Sequence, residues 1–439
     1  MKKLLTFLML IVLCFAWNES GACTSAIITG KLTPDGRPLL WKHRDTGEDN
    51  NRIEYFKGKR FDFTALVNSP DKGGVVWIGT NSAGFSIMNT ASYNLQDKED
   101  KTKNMDREGE LMFDALSECA DMKDFEEFLA KRKRPMGVEA NFGVIDANGN
   151  AAYFETNNFG FTKVDANDPK VAPEGYLIYT NYSYTGRFNE GMGYIRYQNA
   201  RDIISKEAIY KNITPQWIFN NLSRNFYHSF MGINLLDSEH SPERGSGWVV
   251  DQDFIPRKSS TASVIVHGVK PGENPEMTTM WVVLGYPPAG VAVPVWVKAG
   301  EEIPAVLLKS KDANPAVPAT MNAFACDNAV ALKYKAFSVT RGNGGRYMYF
   351  PCIYNSDGTG YMQQLRKFED EIFTITLPKI EKWRKAGLST EEIKELNKKT
   401  NSLVMEAYAT QKQSPQFPVS LKQLPYNNLP VNMTFKMSN

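Results

Sequence analysis

The sequence predicts an α+β fold, and two kinds of pattern predict that class. Short apolar runs occur in pairs joined by tight-turn residues, which is the pattern of β-hairpins. Longer segments with apolar residues at helical spacing lie between and after them, and the chain beyond about residue 361 is helical and charged. With 439 residues, of which 42% are hydrophobic, the chain is long enough to bury a sizeable core.

The first 22 residues have the pattern of a secretory signal peptide. A basic start, Met1–Lys3, precedes an apolar stretch from Leu4 to Trp17, and Ser20 and Ala22 supply the small residues that a cleavage site needs. The apolar stretch is shorter than the ~20 residues of a membrane-spanning helix, and no later segment reaches that length without charges. We therefore predict a secreted or periplasmic protein with no stable membrane span.

Cleavage after Ala22 would make Cys23 the first residue of the mature chain. One residue would then carry a thiol with a reference pKa of ~8.5 and an α-amine with one of ~7.7–8.0, so the amine could take the thiol proton. A nucleophile activated by its own terminal amine is a known solution for acyl transfer. The amide present before cleavage cannot act as this base, and processing would therefore switch the activity on.

The first elements of the mature chain predict a hairpin. Cys23–Gly30 has the pattern of a strand, Thr33–Gly36 that of a type I turn, and Pro38–His43 that of the partner strand. The hairpin would return the segment Lys42–Asp45 to the side of Cys23. A cation there would favour the thiolate and a carboxylate could hold the amine, whereas the same run taken alone would be a solvated strand end.

Further strands place two asparagines at strand ends. Val75–Gly79 and Phe85–Asn89 form a second predicted hairpin, and the segments 141–146 and 151–155 form a third around an Asn-Gly turn. Tyr176–Asn181 is a further strand. An amide at such a place can donate a hydrogen bond to a developing oxyanion, although a lone asparagine at a strand end is more often structural.

Helical patterns complete the chain. Glu108–Arg132 predicts two helices broken near residues 121–124, and helices are also predicted over 191–210 and 215–228. Arg257 precedes a predicted strand at 262–267. We divide the chain into a signal peptide at 1–22, a catalytic domain at 23–360 and a helical C-terminal extension at 361–439 that packs on the same domain.

Composition excludes several classes of function. A net charge of +2 without a long basic run leaves no electrostatic footprint for nucleic acid, so the expected partner is a small molecule or peptide. No CxxC or HExxH spacing occurs, so we predict neither a metal site nor a cofactor. Cys119 lies in a helical pattern and is predicted to be buried, while a disulfide between Cys326 and Cys352 is left open.

Three segments together resemble a known group of enzymes: Cys23-Thr-Ser, Leu39–Asp45 and Asn141–Gly149. They are similar to the N-terminal-nucleophile hydrolases of linear amides, which include choloylglycine (bile salt) hydrolases, penicillin V acylases, isopenicillin N acyltransferase-like enzymes and carcinine hydrolase. The resemblance is greatest to the acyltransferase and carcinine-hydrolase branch and covers roughly residues 23 to 300. It implies an αββα sandwich, in which two antiparallel sheets pack together between helical layers.

The resemblance also implies roles for single residues. The nucleophile corresponds to Cys23, the aspartate that positions the amine to Asp45, and the two oxyanion-hole asparagines to Asn89 and Asn181. Lys42 stands where the family usually has an arginine, Arg44 is a substitute from a neighbouring position, and a later arginine of the family corresponds to Arg257. The implied activity is that of an amidase or acyltransferase on a small-molecule amide, and related hydrolases are often homotetramers.

Two other functions remain open at this stage. The related cysteine dipeptidases share the N-terminal nucleophile, and their openings run Cys-Thr-Thr, which is similar to Cys23-Thr-Ser here. Cys23 therefore does not separate them from amidases. A lipidated surface protein that binds small molecules without chemistry would also begin at a cysteine. The lipoprotein signal usually has leucine at the position of Ser20, and the order of Cys23, Asp45, Asn89 and Asn181 favours the enzyme.

Overall fold

The computed structural model describes residues 22–70, 73–309, 322–339 and 341–411. The predicted signal peptide therefore lies outside the described residues except for Ala22, as does the end of the predicted C-terminal extension. Within these ranges, no helix is long and apolar enough to cross a membrane.

The first sheet carries the hairpin that begins at the predicted nucleophile. Its six strands are all antiparallel and lie in the order β10-β1-β2-β14-β15-β16. They are β1 Thr24–Ile28, β2 Leu39–Asp45, β10 Tyr176–Tyr179, β14 Ser260–His267, β15 Thr279–Leu284 and β16 Val293–Val295. The predicted first hairpin is confirmed, since Thr24 pairs with His43 and Ile28 with Leu39.

The second sheet is a seven-stranded antiparallel meander in which each strand pairs with the next along the chain. Its strands are β3 Asn51–Phe56, β4 Phe63–Asn68, β5 Ile78–Asn81, β6 Ser86–Ala91, β7 Ala140–Ile145, β8 Ala151–Thr156 and β9 Phe161–Asp165. The predicted Asn-Gly turn joins β7 to β8, and Gly149 there adopts a φ of +84°, which glycine reaches without strain.

The two sheets pack face to face around one apolar core. Strand residues alternate between the two faces of a sheet, so Leu66, Met88 and Tyr153 of the second sheet join Ile27 and Leu40, which pair on the facing side of the first sheet, in a single buried cluster. The opposite face of the second sheet buries a separate cluster, and that cluster is covered by helices.

Helical layers lie outside both sheets. Helices α1 Glu108–Glu118 and α2 Met122–Lys131 pack on the second sheet, where Phe125 of α2 contacts Phe142 and Phe154. The break between them is a helix N-cap, because the side chain of Asp121 accepts a hydrogen bond from the backbone N–H of Asp124.

The first sheet is covered by the remaining helices. They are α3 Tyr194–Ala208, α4 Pro215–Ile218, α5 Phe324–Ala336, α6 Tyr361–Ala386 and α7 Thr390–Thr410. The two antiparallel sheets between helical layers confirm the predicted αββα fold class. Minor two-stranded pairs flank this framework and comprise β11 Tyr227–His228 with β12 Ile233–Asn234, and β13 Trp248–Val250 with β17 Tyr347–Tyr349.

The C-terminal helices contact the first sheet through buried aromatic and charged groups. Phe373 of α6 stacks on Trp281 of β15 with ring centroids 4.1 Å apart. Glu369 of the same helix forms a bidentate ion pair with Arg224, at 2.6 Å for each contact, and both side chains are buried. The helices are therefore joined to the sheet by specific contacts, and the domain boundary at residue 360 stays a prediction.

Two predicted elements differ in extent. The strand predicted at Val75–Gly79 begins only at Ile78, because Val76 instead meets helix α1 through a backbone hydrogen bond to Gly109. The helix predicted over residues 215–228 is α-helical for one turn, continues as a π-helix over Phe219–Ser223 and then gives way to β11.

Candidate active site

Cys23 lies at the start of β1, opposite the end of β2. The antiparallel register continues past the strand, since the N–H of Ala22 donates to the carbonyl oxygen of Asp45 at 3.0 Å. Ser25 contacts Tyr153 of the second sheet at 2.9 Å between hydroxyl oxygens, so Cys23, two residues earlier, is on the face that looks into the space between the sheets. The residue is buried, with 7% of its surface exposed.

The buried Asp45 pairs with the partly buried Arg257 beside the peptide bond that precedes Cys23. The Nη2 of Arg257 donates to Oδ2 of Asp45 at 2.7 Å and to the carbonyl oxygen of Ala22 at 3.0 Å. Ser260 donates to the other carboxylate oxygen of Asp45 at 2.6 Å. One guanidinium thus joins the predicted amine-positioning carboxylate to the carbonyl on the other side of the predicted cleavage point.

Lys42 projects from β2 towards the second sheet and holds Asn89. Its Nζ donates to the carbonyl oxygen of Trp77 at 3.0 Å, and to the backbone oxygen and Oδ1 of Asn89 at 2.7 Å each. Burial lowers the pKa of Lys42 to about 8, and a thiolate at Cys23 would act in the opposite direction. Lys42 is therefore electrostatically coupled to Cys23 and fixes the position of Asn89.

Arg44 projects to the same side of the sheet but contacts different groups. Its guanidinium donates to the side-chain oxygens of Asn51 and Asn68 and lies over the ring of Trp77, with 4.6 Å between Cζ and the ring centroid. Strand alternation explains why Lys42 and Arg44 share a face. Of the two cations, Lys42 is the one that touches Asn89.

Asn181 follows β10 and spans the edge between the two sheets. Its Nδ2 donates to the backbone oxygen of Ala91 in β6 at 2.9 Å, and its backbone pairs with Met192 in an isolated bridge. Asn89 and Asn181 are both buried. The structure thus brings together six of the seven residues predicted for catalysis around the start of β1, with Arg44 beside them in the space between the sheets.

Arg196 of helix α3 is a site residue that the sequence did not indicate. Its Nη1 donates to the backbone oxygen of Cys23 at 2.7 Å and to the hydroxyl of Thr24 at 2.9 Å, and its Nη2 donates to Oδ1 of Asn181 at 2.8 Å. Arg196 sits in an ordinary polar helical pattern, and only the packing of α3 against β1 and β10 brings it to Cys23.

His43 is a buried neutral group on the other face of β2. Its Nε2 lies 2.9 Å from the hydroxyl of Ser260, which itself donates to Asp45. Burial lowers the pKa of His43 to about 4, so the imidazole is neutral at physiological pH. Its place in a hydrogen-bonded chain that ends on Asp45 makes it a support for that carboxylate.

The remaining cysteines differ from Cys23 in their surroundings. The four cysteines of the described residues are free thiols, so Cys326 and Cys352 are unpaired. Burial raises the pKa of Cys119 and Cys326 to about 12 and that of Cys352 to about 11. These three thiols are protonated near neutral pH. Within the described ranges, no group of three or more His, Cys, Asp or Glu side chains is arranged to hold a metal ion.

Comparison with known proteins gives no sequence match, since neither a family model nor a curated protein matches the chain. Solved structures with a similar arrangement include a Caenorhabditis elegans ortholog of N-acylethanolamine-hydrolyzing acid amidase, at 12% identity and a TM-score of 0.38, covering 56% of this chain and 92% of that one.

Two further structures are of enzymes that the sequence resemblance also names. A variant of conjugated bile acid hydrolase from Clostridium perfringens has 13% identity and a TM-score of 0.38, covering 63% of this chain and 93% of that one. Penicillin V acylase from Agrobacterium tumefaciens has 13% identity and a TM-score of 0.35, covering 63% and 86%. Because these sequence identities and TM-scores are low, the functional argument rests on the geometry of the site.

Proposed function

We propose that the protein is an exported amidase that uses Cys23 to cleave the linear C–N amide bond of an N-acyl compound. The junction before Cys23 is the observation that carries the proposal. Arg257 holds both the Ala22 carbonyl oxygen and the Asp45 carboxylate, so hydrolysis of the Ala22–Cys23 bond would release an α-amine within the same hydrogen-bonded cluster. A thiol, an amine, a carboxylate and two amide side chains would then meet at one point.

The proposed chemistry proceeds in two steps. The α-amine of Cys23 takes the thiol proton, the thiolate attacks the acyl carbon, and the C–S bond forms while the carbonyl oxygen becomes an oxyanion. Asn89 and Asn181 donate hydrogen bonds to that oxyanion. Collapse breaks the C–N bond, and the ammonium of Cys23 passes its proton to the leaving amine.

The second step returns the free enzyme. The α-amine of Cys23 removes a proton from water, the resulting hydroxide attacks the thioester, and the C–S bond breaks to give a carboxylic acid and the thiol. An amine that attacks in place of water would give a new amide, so the same site would act as an acyltransferase. The Cys23 thiol, its terminal amine and two amide side chains supply the groups that these steps require.

A substrate panel tests the proposal. Exported protein is incubated with coumarin amides of acyl groups from acetyl to palmitoyl, with phenoxyacetyl and bile-acid amides, and with dipeptides. Cys23→Ser and Cys23→Ala test the nucleophile, and Cys352→Ala is the matched control because its thiol is partly exposed but outside the site. Turnover of acyl amides that is lost in both Cys23 variants and kept in the control supports the amidase.

Other outcomes of the same panel contradict the proposal in defined ways. Turnover of dipeptides alone would identify a dipeptidase, the second candidate that the shared nucleophile leaves open. Turnover that survives Cys23→Ala would place the chemistry elsewhere. Addition of a primary amine to the assay separates transfer from hydrolysis, since an acyltransferase would form the new amide at the expense of the free acid.

A further inference from the structure

Arg196 is buried in a way that is costly for a charged group. Its side chain is 1% exposed, and the three acceptors of its guanidinium, on Cys23, Thr24 and Asn181, are all neutral. Its Nε has no hydrogen-bond partner among the described residues, and burial lowers the pKa of the guanidinium. Buried charges are normally offset by a directly bonded opposite charge, so this arrangement is expensive to maintain.

The surroundings of Arg196 are shaped to admit the guanidinium. Gly193 precedes helix α3 with a φ of +85°, and a Cβ at that position would collide with Nη2 of Arg196. The space that receives the charge therefore exists because residue 193 has no side chain. A buried charge without a directly bonded counter-charge, fitted beside a predicted nucleophile, points to a functional contact.

The contact with Asn181 determines how its amide is oriented between Arg196 and Ala91. Nη2 of Arg196 can only donate, so the atom 2.8 Å away is the carbonyl oxygen of the amide. The NH₂ end then faces the opposite side, where it donates to the Ala91 carbonyl oxygen. A flipped amide would set two donors against each other at Arg196 and two acceptors at Ala91. Arg196 thereby leaves the amide nitrogen of Asn181 as the hydrogen-bond donor on the side away from the arginine.

Asn89 is oriented by the same device. Lys42, the other buried cation of the site, donates to Oδ1 of Asn89 at 2.7 Å, so the NH₂ end is again the one that is turned away. Each of the two predicted oxyanion-hole asparagines thus has its carbonyl oxygen bonded to its own buried cation. The two contacts come from different layers, β2 for Lys42 and α3 for Arg196, and the parallel supports a common role.

We propose that Arg196 is a positioning residue that fixes the amide orientation of Asn181 and the backbone carbonyl of Cys23, so that nucleophile and oxyanion donor keep one geometry. The inference rests on the proposed amidase function. Arg196 stabilises the reaction only when charge develops on the substrate oxygen. Loss of Arg196 therefore lowers kcat and leaves KM nearly unchanged.

A double-mutant cycle tests the inference with the best amide of the substrate panel. Arg196→Gln and Asn181→Ala are each expected to lower kcat by about 100-fold or more, the usual effect of losing one oxyanion donor, with KM within about threefold of the parent value. The double variant is expected to lose clearly less than the product of the two single losses, because the part of the Arg196 contribution that passes through the Asn181 amide is already absent in Asn181→Ala. Arg201→Gln is the matched control, since Arg201 is an exposed arginine of the same helix.

Arg196→Lys keeps the test decisive if the glutamine variant does not fold. Lysine keeps the charge but lacks the fixed fork of donors with which the guanidinium holds Cys23 and Asn181, so an intermediate loss of about tenfold in kcat is expected with a normal unfolding temperature. Additive losses in the cycle, or an effect confined to KM, would overturn the inference while wild-type turnover stands. Absence of any Cys23-dependent turnover in the wild-type protein would overturn the proposed function and the inference together.

Discussion

The protonation of Lys42 should set the upper pH limit of the activity. Burial lowers the pKa of this lysine from 10.5 to about 8, and its three hydrogen bonds to Trp77 and Asn89 require an ammonium, because a neutral amine has only two N–H groups. The folded-state pKa is depressed, so the proton is held below about pH 8 and lost above it. At about pH 9 one molecule in about ten keeps the charge, and kcat/KM should be about tenfold below its value near pH 7.

The variant Lys42→Arg should remove this limit. A guanidinium stays charged throughout the range, so activity at about pH 9 should equal that near neutral pH, whereas Lys42→Met should be impaired at every pH. Initial rates on the best amide substrate between about pH 6 and 10 measure the effect. Lys57→Arg is the control, because Lys57 is an exposed lysine. A wild-type profile that stays flat to about pH 10, or an alkaline limb that persists in Lys42→Arg, would refute the reasoning.

Three further predictions concern stability and the Asp45 cluster. Glu369→Gln should cost about 3–5 kcal/mol of unfolding free energy because it leaves Arg224 buried and uncompensated, and adding Arg224→Met should restore most of it in denaturant titrations. Burial raises the pKa of Glu108 from 4.5 to about 7, so its stabilising protonation is complete below about pH 4.5 and lost as pH rises through 7. The unfolding free energy of Glu108→Gln, taken relative to that of the parent, should therefore rise by about 3 kcal/mol from pH 4 to pH 8. A relative free energy that is the same at both pH values would contradict this. Asp45→Asn should lower kcat by about 100-fold or more and keep Cys23 alkylation measurable, while an unaffected kcat would remove Asp45 from the mechanism.

Much of the fold could be predicted because its signals are local. The hairpins around residues 33–36, 81–84 and 147–150 depend on turn residues that force the chain to reverse, and the structure confirms all three. The break between α1 and α2 was predictable for the same reason, since the N-cap Asp121 stands within the predicted interval.

Elements that the sequence did not indicate lack such local signals. Strands β3 and β4 are mixed in polarity, and both gain their stability from pairing with each other and with β5 across the sheet. Helix α5 has nearly no amphipathic stripe, because its buried residues pack on β15 and on several short helical turns rather than along one face. Tertiary contacts decide these elements, and a single sequence does not display them.

The site also divides into residues that local signals indicate and residues that only tertiary contacts bring in. Strand ends and the hairpin marked Cys23, Asp45, Asn89 and Asn181 as candidates, and the family resemblance assigned their roles. The structure places all four around the start of β1, although their catalytic roles stay predictions. The choice between Lys42 and Arg44 needed the partners across the sheet, because both side chains share one face of β2. Arg196 required the packing of a distant helix on β1, which no spacing in the sequence reports.

The N-terminus of the exported protein tests the central claim most directly. Intact mass and N-terminal sequencing, before and after brief treatment with iodoacetamide near neutral pH, report the first residue and the labelled thiol together. The account predicts a chain that begins at Cys23 with a free α-amine and gains one label there, because burial keeps the other three thiols protonated. A chain that begins elsewhere, or a Cys23 whose amine is acylated, would have no terminal base and would contradict the account.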